Sequence, residues 1–599
     1  MSACCILHSS LTAVLLAAGL TACGPDQSIG GPSPGSGGPS AATGSGSVGQ
    51  QQGTVEPGST GVLAQQLPSK GQGLVSRSFR FPEAAAATSI PSPGTDRPVL
   101  KLAGPVRSES PLSLTASDGT GLKLVALKAN GVVEEPLAFT ELQMVFENPQ
   151  SRVIEGNFKI ALPQGATVSR FAMKIGDRWQ EGEVVERQAA RRAYEDFLHR
   201  RQDPALLEQQ AGNEFSARVF PIPARGTKEL ILSYSQELVK DAEPYRIHLQ
   251  GLPELGSLQL RVLLAKGGSR QQPAGSSLGG ELLTHQVIEV SKTGWVPDRD
   301  FEVAQVRAAD RLGLRNDNLV VARVTPVLGT APEEIGSLYV LVDTSASRAL
   351  GHAEQVELVG RLIDGLRNGA GPATPLGVAC FDQELYPVFT GKAGDFGEGE
   401  LRKLRERRPL GASNLQAVLT ALPALINKDG VGRFRRVLLI TDGVATAGEV
   451  GGDRLLEAVR GLRGAEVERL DVIAAGGIRD DEQLGRLVTA GLAHDGTLIE
   501  ASLPLPEIAR KLTQTTRSGI KVNVEGAAWV WPAALNGVQA GDQVLIYADL
   551  PVGQPFALAL DGVAVAADRR ELVPVERPLL ERAWVKARIA RVLHPRDTL

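Results

Sequence analysis

Two acidic, hydroxyl-rich segments in the second half of the chain have residue types that could coordinate a metal ion. Asp343, Ser345 and Ser347 form an Asp-x-Ser-x-Ser pattern directly after one apolar run, and Asp442 directly follows a second such run. Carboxylate and hydroxyl oxygens are hard ligands, and Mg²⁺ prefers an octahedral shell of such oxygens that retains some water. The residue types therefore predict a Mg²⁺ site, provided that the fold brings the two segments together.

Strand and helix patterns alternate around these segments. Apolar runs typical of strands buried on both faces lie at 338–342, 376–381, 437–441 and 470–475. Helical patterns lie at 353–368 and near 396–407, 413–426, 453–464 and 480–490. This alternation predicts a parallel sheet with crossover helices. Because ligands bind outside the carboxyl ends of the strands in such sheets, we expect Asp343 and Asp442 at one edge.

Residues 334–503 resemble a von Willebrand factor type A (VWA) domain. The metal-ion-dependent adhesion site of that family combines an Asp-x-Ser-x-Ser loop, a threonine from a Gly-Gly-Thr loop and the aspartate of a Thr-Asp-Gly segment. The resemblance implies, as direct or water-mediated ligands, Asp343, Ser345, Ser347, Ser413 and Asp442. Ser413 stands in a Gly-Ala-Ser loop where the family has threonine. The hydroxyl is kept there, so we expect coordination to survive.

The VWA resemblance also implies what the site does. The metal is Mg²⁺, or Mn²⁺ or Ca²⁺, and its shell is left open so that an Asp or Glu from a protein partner completes it. The expected function is therefore metal-dependent adhesion or protein–protein interaction rather than turnover. The alternative is a metal-free structural scaffold, in which the same loops only pack together.

The preceding region contains short β-type runs separated by Gly, Asn and Asp turn signals. Its ordered landmarks include Phe146-Glu147-Asn148-Pro149, Leu162-Pro163 and the strand 229–234. On these landmarks, residues 108–240 resemble the VIT domain of inter-α-trypsin inhibitor heavy chains. We expect residues 241–333, which continue as β segments, to form a β-rich connector to the VWA-like domain.

An enzymatic function has one weak candidate motif. Residues 275–279 read Gly-Ser-Ser-Leu-Gly, which matches the Gly-x-Ser-x-Gly elbow of serine hydrolases and would make Ser277 a nucleophile. That elbow requires a strand before it and a helix after it, whereas the preceding residues here are typical of a loop. The seven histidines are dispersed without metal-ligand spacing. We therefore expect no catalytic residues and no enzymatic activity.

The amino terminus has features of an exported lipoprotein. The apolar run 11–20 is too short to span a bilayer but suits a signal peptide. It leads into Leu20-Thr21-Ala22-Cys23, a lipobox pattern that predicts a signal peptide over 1–23 and lipidation of Cys23. Residues 24–107 are predicted to be a disordered tether, because the Gly-, Pro- and Ser-rich stretch that follows Cys23 cannot bury enough apolar surface to fold.

These features predict a protein anchored by lipid in the cell envelope. Gly24 follows the cysteine, which by analogy with enteric bacteria favours the outer membrane of a Gram-negative bacterium. With 63 basic and 67 acidic residues, the chain has no electrostatic footprint for nucleic acid. The expected partners are a protein ligand and the membrane, but not a nucleic acid.

The carboxyl-terminal region, 518–599, predicts a β segment followed by an amphipathic helix over 578–593. The expected fold class is therefore a multidomain α+β chain. It combines a β-sandwich-like VIT domain, a doubly wound α/β parallel-sheet VWA domain and a small C-terminal β domain.

Overall fold

The computed structural model describes most of the chain after residue 109. The described residues are 110–182, 207–209, 212–240, 243–264, 281–284, 287–303, 311–329, 332–428, 434–448, 452–565, 571–575 and 578–593. All of them belong to one compact unit, Pro82–Leu599. The segments predicted over 1–23 and 24–107, including Cys23, lie outside the described residues, and so does Ser277.

The first body is a β-sandwich in which apolar side chains alternate with polar ones along the strands. Its strands are β1 Leu112–Ala116, β2 Lys123–Glu134, β3 Leu137–Glu147, β4 Ile154–Ala161, β5 Thr167–Ile175, β6 Arg178–Glu181, β7 Leu207–Gln209, β8 Glu214–Ile222, β9 Thr227–Glu237, β10 Tyr245–Ile247, β11 Leu255–Leu264, β12 Glu281–Thr284, β13 Val287–Trp295 and β14 Phe301–Val303. A sheet in the order β1-β4-β8-β7 faces one in the order β12-β13-β11-β2-β3-β9-β5-β6. Between them, the Phe158 ring stacks on Phe171 at a centroid distance of 5.9 Å.

The region predicted as a connector, 241–333, is divided between two bodies. Strand β11 pairs in parallel with β2, and β13 pairs antiparallel with β11, so both extend the larger sheet of the sandwich. Their inward side chains, Leu258, Leu260 and Val290, belong to the same core as the earlier strands. The later strands of the region pair elsewhere.

The α/β body carries the predicted metal-binding loops. Its strands are β18 Leu338–Asp343, β19 Pro375–Phe381, β20 Leu385–Lys392, β21 Arg436–Thr441, β22 Arg469–Ala474 and β23 Leu498–Glu500, in the order β20-β19-β18-β21-β22-β23. Its helices are α1 His352–Gly369, α2 Glu398–Glu406, α3 Leu415–Lys428, α4 Gly452–Gly461, α5 Asp481–Val488 and α6 Leu505–Leu512. All strands pair in parallel except β20, which is antiparallel to β19. One core lies on each face of the sheet, so the doubly wound arrangement is confirmed.

The third body combines strands that precede the α/β body in the sequence with strands that follow it. Its strands are β15 Arg311–Asn316, β16 Leu319–Val324, β17 Pro326–Val327, β24 Ile520–Val524, β25 Trp529–Trp531, β26 Ala534–Leu535, β27 Val544–Asp549, β28 Leu558–Leu560, β29 Ala564–Val565 and β30 Glu571–Pro574. Strand β16 pairs antiparallel with β27, and β15 pairs in parallel with β30. The small C-terminal β domain is therefore present, and the α/β body is inserted in its sequence.

The helix predicted at the carboxyl terminus is α7, Pro578–Leu593. It contacts the sandwich and the third body at the same time. Nζ of Lys586 lies 3.2 Å from Oε1 of Glu237 in the sandwich. The ring centroids of Trp584 and of Trp529 in the third body are 5.4 Å apart. Within the described part of the chain, no helix is both long and apolar enough to span a membrane.

Candidate metal centre

The two predicted carboxylate loops begin at the carboxyl ends of neighbouring parallel strands. Strand β18 ends at Asp343 and β21 ends at Thr441, and the two strands are in register next to one another. The Thr441 hydroxyl donates a 2.6 Å hydrogen bond to Oδ2 of Asp343. Both strands are buried along their whole length, because helices cover both faces of the sheet. The apolar runs therefore bring the two carboxylates, Asp343 and Asp442, to one edge.

The Asp-x-Ser-x-Ser loop folds back on its own aspartate. The backbone N–H of Ser345 donates to Oδ1 of Asp343 at 2.9 Å, as in an Asx turn. The hydroxyl oxygens of Ser345 and Ser347 lie 3.1 Å apart. Ser347 also hydrogen bonds to the Asp442 carboxylate, which places the two loops side by side. A short 3₁₀ helix, Ala346–Gly351, follows.

The loop that contains Ser413 lies against both other loops. Ala346 N–H donates to the Gly411 carbonyl at 2.8 Å, and Thr446, downstream of Asp442, hydrogen bonds to Ser413 through its hydroxyl and its N–H. Ser413 is fully buried. Its hydroxyl oxygen has no hydrogen-bond partner among the residues that the structure describes. A buried hydroxyl without a partner costs free energy, so a ligand at this position would satisfy it.

The two carboxylates make the site electrostatically unfavourable for anions and favourable for a cation. Burial, together with the negative charge of Asp442, raises the pKa of Asp343 from 3.8 to about 6. Burial also raises the pKa of Asp442, although the Arg348 guanidinium opposes that shift. Arg348 Nη1 lies 3.7 Å from Oδ2 of Asp442, and both side chains are almost completely buried. A bound cation would favour the ionised form of both carboxyl groups.

The donor set fits a small divalent cation such as Mg²⁺. Adjacent ligands in an octahedral shell at about 2.1 Å from the ion lie about 3 Å apart, and the Ser345 and Ser347 hydroxyl oxygens are separated by 3.1 Å. Ser413 supplies a third hydroxyl, and the aspartates supply two negative charges. Among the described residues there is no cluster of three or more His, Cys, Asp or Glu side chains. This centre is instead a mixed set of two carboxylates and three hydroxyls.

Three residues that shape the site were not among the ligands predicted from the sequence. Arg348 donates through Nη1 to the Ala475 carbonyl at 2.7 Å and through Nε to Gln355 at 3.0 Å. Gln355 in turn donates to the Asp343 carbonyl at 2.7 Å. Thr441 orients the Asp343 carboxylate. The only sequence signal for Arg348 was its position directly after Ser347. A charged residue at such a position is just as typical of an exposed loop as of a metal-binding site.

A family model matches part of the first body. Residues 124–234 match the model of the Vault protein inter-alpha-trypsin (VIT) domain. No curated protein matches the sequence. A solved von Willebrand factor type A structure from Catenulispora acidiphila is similar, with 15% identity over 45% of this chain and 72% of that chain and a TM-score of 0.26.

Two further solved structures are similar over smaller parts of the chain. Manganese-loaded TRAP protein from Plasmodium vivax has 16% identity over 38% of this chain and 97% of that chain, with a TM-score of 0.25. Proximal thread matrix protein 1 from the mussel byssus, with a zinc-occupied MIDAS motif, has 18% identity over 29% and 46%, with a TM-score of 0.22. The family match thus concerns residues 124–234, and the sheet order and the loop cluster show that residues 338–500 have the doubly wound α/β arrangement predicted from the sequence.

Proposed function

We propose that this chain is a binding protein that captures an acidic side chain of a protein partner through a divalent metal ion. The observation that supports it most directly is the fully buried Ser413 hydroxyl, which has no partner in the described structure. It belongs to a loop packed against the loops of two buried carboxylates, Asp343 and Asp442. A cation would satisfy the hydroxyl and neutralise the carboxylates together.

Each residue has a separate part in holding the ion. Asp343 and Asp442 supply negative charge, and the hydroxyls of Ser345, Ser347 and Ser413 supply neutral oxygens. Thr441 and the Ser345 N–H hold the Asp343 carboxylate in place. When bound, the ion supplies a cationic centre with an open position for an Asp or Glu from outside. Mg²⁺ suits this oxygen set best, with Mn²⁺ or Ca²⁺ as alternatives.

Calorimetry with the full chain tests the metal directly. We expect Mg²⁺ to bind with one-to-one stoichiometry, Ser413→Ala to weaken it, and Ser413→Thr to retain it because the hydroxyl oxygen is kept. Ser518→Ala, in the third body, is the matched control. Absence of Mg²⁺ and Mn²⁺ binding by the unaltered chain would refute the metal site and, with it, the capture mechanism.

A metal-free structural scaffold is the second candidate function, and one observation favours it. Arg348 already lies 3.7 Å from Asp442, and Thr441 donates to Asp343, so both carboxylates have partners from the chain itself. A pull-down from native envelope distinguishes the two functions. Loss of the captured partner in EDTA supports metal-dependent capture, whereas capture that EDTA leaves unchanged supports the scaffold.

We also propose that the chain is a lipoprotein of the cell envelope, anchored through Cys23, in the outer membrane of a Gram-negative bacterium. The support is the Leu-Thr-Ala-Cys sequence behind an apolar run and the Gly-, Pro- and Ser-rich stretch that follows. A Cys23→Ser chain should leave the membrane fraction and migrate without the mass of the lipid. Unchanged fractionation of the Cys23→Ser chain would contradict this proposal.

We propose, finally, that the protein is not an enzyme. VIT and VWA domains are typically interaction modules. The hypothesis of a serine hydrolase rests on Ser277 alone, which lies outside the described residues. Hydrolysis of ester substrates by the purified protein, abolished by Ser277→Ala, would overturn this assignment.

A further inference from the structure

We infer that the partner presents its acidic residue next to an aliphatic or aromatic side chain, which would contact Leu350 and Leu410 beside the metal centre. This inference rests on the proposed function and specifies the chemistry of its partner. It starts from the two leucines, whose exposure the metal centre by itself does not explain.

Leu350 and Leu410 are unusual in the part of the α/β body that the structure describes. Their exposed fractions are 50% for Leu350 and 77% for Leu410, and no other large hydrophobic side chain is exposed among the described residues of that body. Single exposed leucines are ordinary on protein surfaces, but their coincidence with the loops of one site is informative. In protein interfaces, contacts around a central interaction exclude water from it.

Both leucines lie in segments that carry the candidate centre, and the pair is called the rim below. Leu350 belongs to the 3₁₀ helix Ala346–Gly351, in which side chains three residues apart eclipse one another. Leu350 is therefore on the side of that helix that carries Ser347, a proposed ligand. Leu410 directly precedes Gly411, whose carbonyl accepts a 2.8 Å hydrogen bond from Ala346 N–H. The two leucines thus come from the two loops that this hydrogen bond joins.

The charges of the site favour an acidic residue between these apolar contacts. Asp343 and Asp442 carry two negative charges when a divalent cation is bound, and the cation balances them. Arg348, 3.7 Å from Asp442, then leaves a net positive charge of about one at the loaded centre. Arg408, two residues before Leu410, is exposed and adds a cationic residue to the same loop. A carboxylate with an apolar neighbour complements both the charge and the flanking leucines.

Selection from a peptide library tests this composition without knowledge of the natural partner. Phage that display random disulfide-closed loops are selected on the immobilised full chain with Mg²⁺ and eluted with EDTA. We expect eluted clones to contain Asp or Glu with Leu, Ile, Val or Phe within two positions, well above the library frequency. Acidic clones whose neighbours match the library frequency would overturn the inference and leave the metal-dependent capture standing. Absence of any Mg²⁺-dependent acidic clone would overturn both.

Variants of the rim then test the two leucines themselves. For a selected peptide, we expect Leu350→Ser and Leu410→Ser each to weaken binding by about five- to tenfold, because part of a leucine side chain is no longer buried. Val552→Ser, exposed by 70% and in the third body, should leave the affinity unchanged. Calorimetry should show the same Mg²⁺ affinity for all three variants. Unchanged peptide affinity in both leucine variants would refute the role of the rim.

The same leucines could instead contact lipid, and a sedimentation experiment distinguishes that outcome. The full chain with Cys23→Ser, which lacks the anchor site, is mixed with phosphatidylglycerol vesicles in Mg²⁺. We expect it to remain in the supernatant. Mg²⁺-dependent sedimentation that Leu410→Ser abolishes would assign the rim to a lipid surface and overturn the inference of an acidic, apolar protein partner.

Discussion

Replacing Asp343 by asparagine should separate two effects of this carboxyl group. It binds the cation, and it destabilises the folded protein when the cation is absent. The pKa of Asp343 is raised from 3.8 to about 6, chiefly by burial and then by the charge of Asp442. At about 1.4 kcal/mol for each pH unit, ionising it in the folded protein costs about 3 kcal/mol relative to the unfolded chain. Asparagine keeps the shape of the side chain and removes that charge.

The sign of the pH dependence follows from the raised pKa. Without metal, the folded state binds more protons than the unfolded state between pH 3.8 and about pH 6. The contribution of Asp343 to stability is therefore complete at low pH and disappears as the pH rises through about 6. From pH 7.5 to pH 5 this contribution should stabilise the wild type by about 1.4 kcal/mol. Asp343→Asn lacks this contribution. Mg²⁺ should reverse the comparison, stabilising only the wild type by about 2.7 kcal/mol at a hundredfold excess over its dissociation constant.

Hydrogen exchange, detected by mass spectrometry, measures this change in stability in the sheet that carries Asp343. The peptides that cover β18 and β21 report the opening free energy of the sheet, after correction for the intrinsic exchange rate at each pH. Asp364→Asn, the same chemical change at an exposed position on α1, is the control. The reasoning is refuted if wild-type protein in EDTA becomes less protected as the pH falls relative to Asp343→Asn. It is also refuted if Mg²⁺ protects both proteins equally.

Three further substitutions test contacts around the site and between the bodies. Arg348→Met should raise the Mg²⁺ affinity about tenfold in calorimetry, because it removes a cation 3.7 Å from Asp442; equal or weaker binding would contradict this. Asn213→Ala should speed hydrogen exchange of the loop 476–480 by about tenfold, because the Asn213 side chain accepts from Arg479 N–H at 2.9 Å and donates to the Gly477 carbonyl at 3.1 Å. The exposed Asn157→Ala is its control, and equal exchange in both would count against the contact. Trp584→Ala removes the ring contact with Trp529 and should destabilise the docking of α7 by about 2 kcal/mol. Proteolysis within α7 should then be faster in Trp584→Ala than in the control variant Val585→Ala, and similar rates in the two variants would refute the contact.

The position of the two carboxylates was predictable from the sequence because it depends on local patterns and one general rule. Strands β18 and β21 are continuous apolar runs, which indicates burial on both faces of a parallel sheet. In such a sheet the residues after the strands meet at one edge. The side-chain types of Asp343 and Asp442 then indicated a cation. Helix α7 was likewise predicted with the bounds that the structure shows, although its apolar residues Val585 and Ile589 are exposed.

The partners of distant segments were decided only by the tertiary structure. Strand β16 pairs with β27, although the whole α/β body lies between them in the sequence. Strand β11 joins the sandwich beside β2. Alternating apolar residues predict that a segment is a strand, but they do not specify which of many similar edges it joins. Arg348 illustrates the same limit at the site. A charged side chain is ordinarily exposed, whereas the fold buries Arg348, which donates a hydrogen bond to the Ala475 carbonyl and lies 3.7 Å from the carboxylate of Asp442.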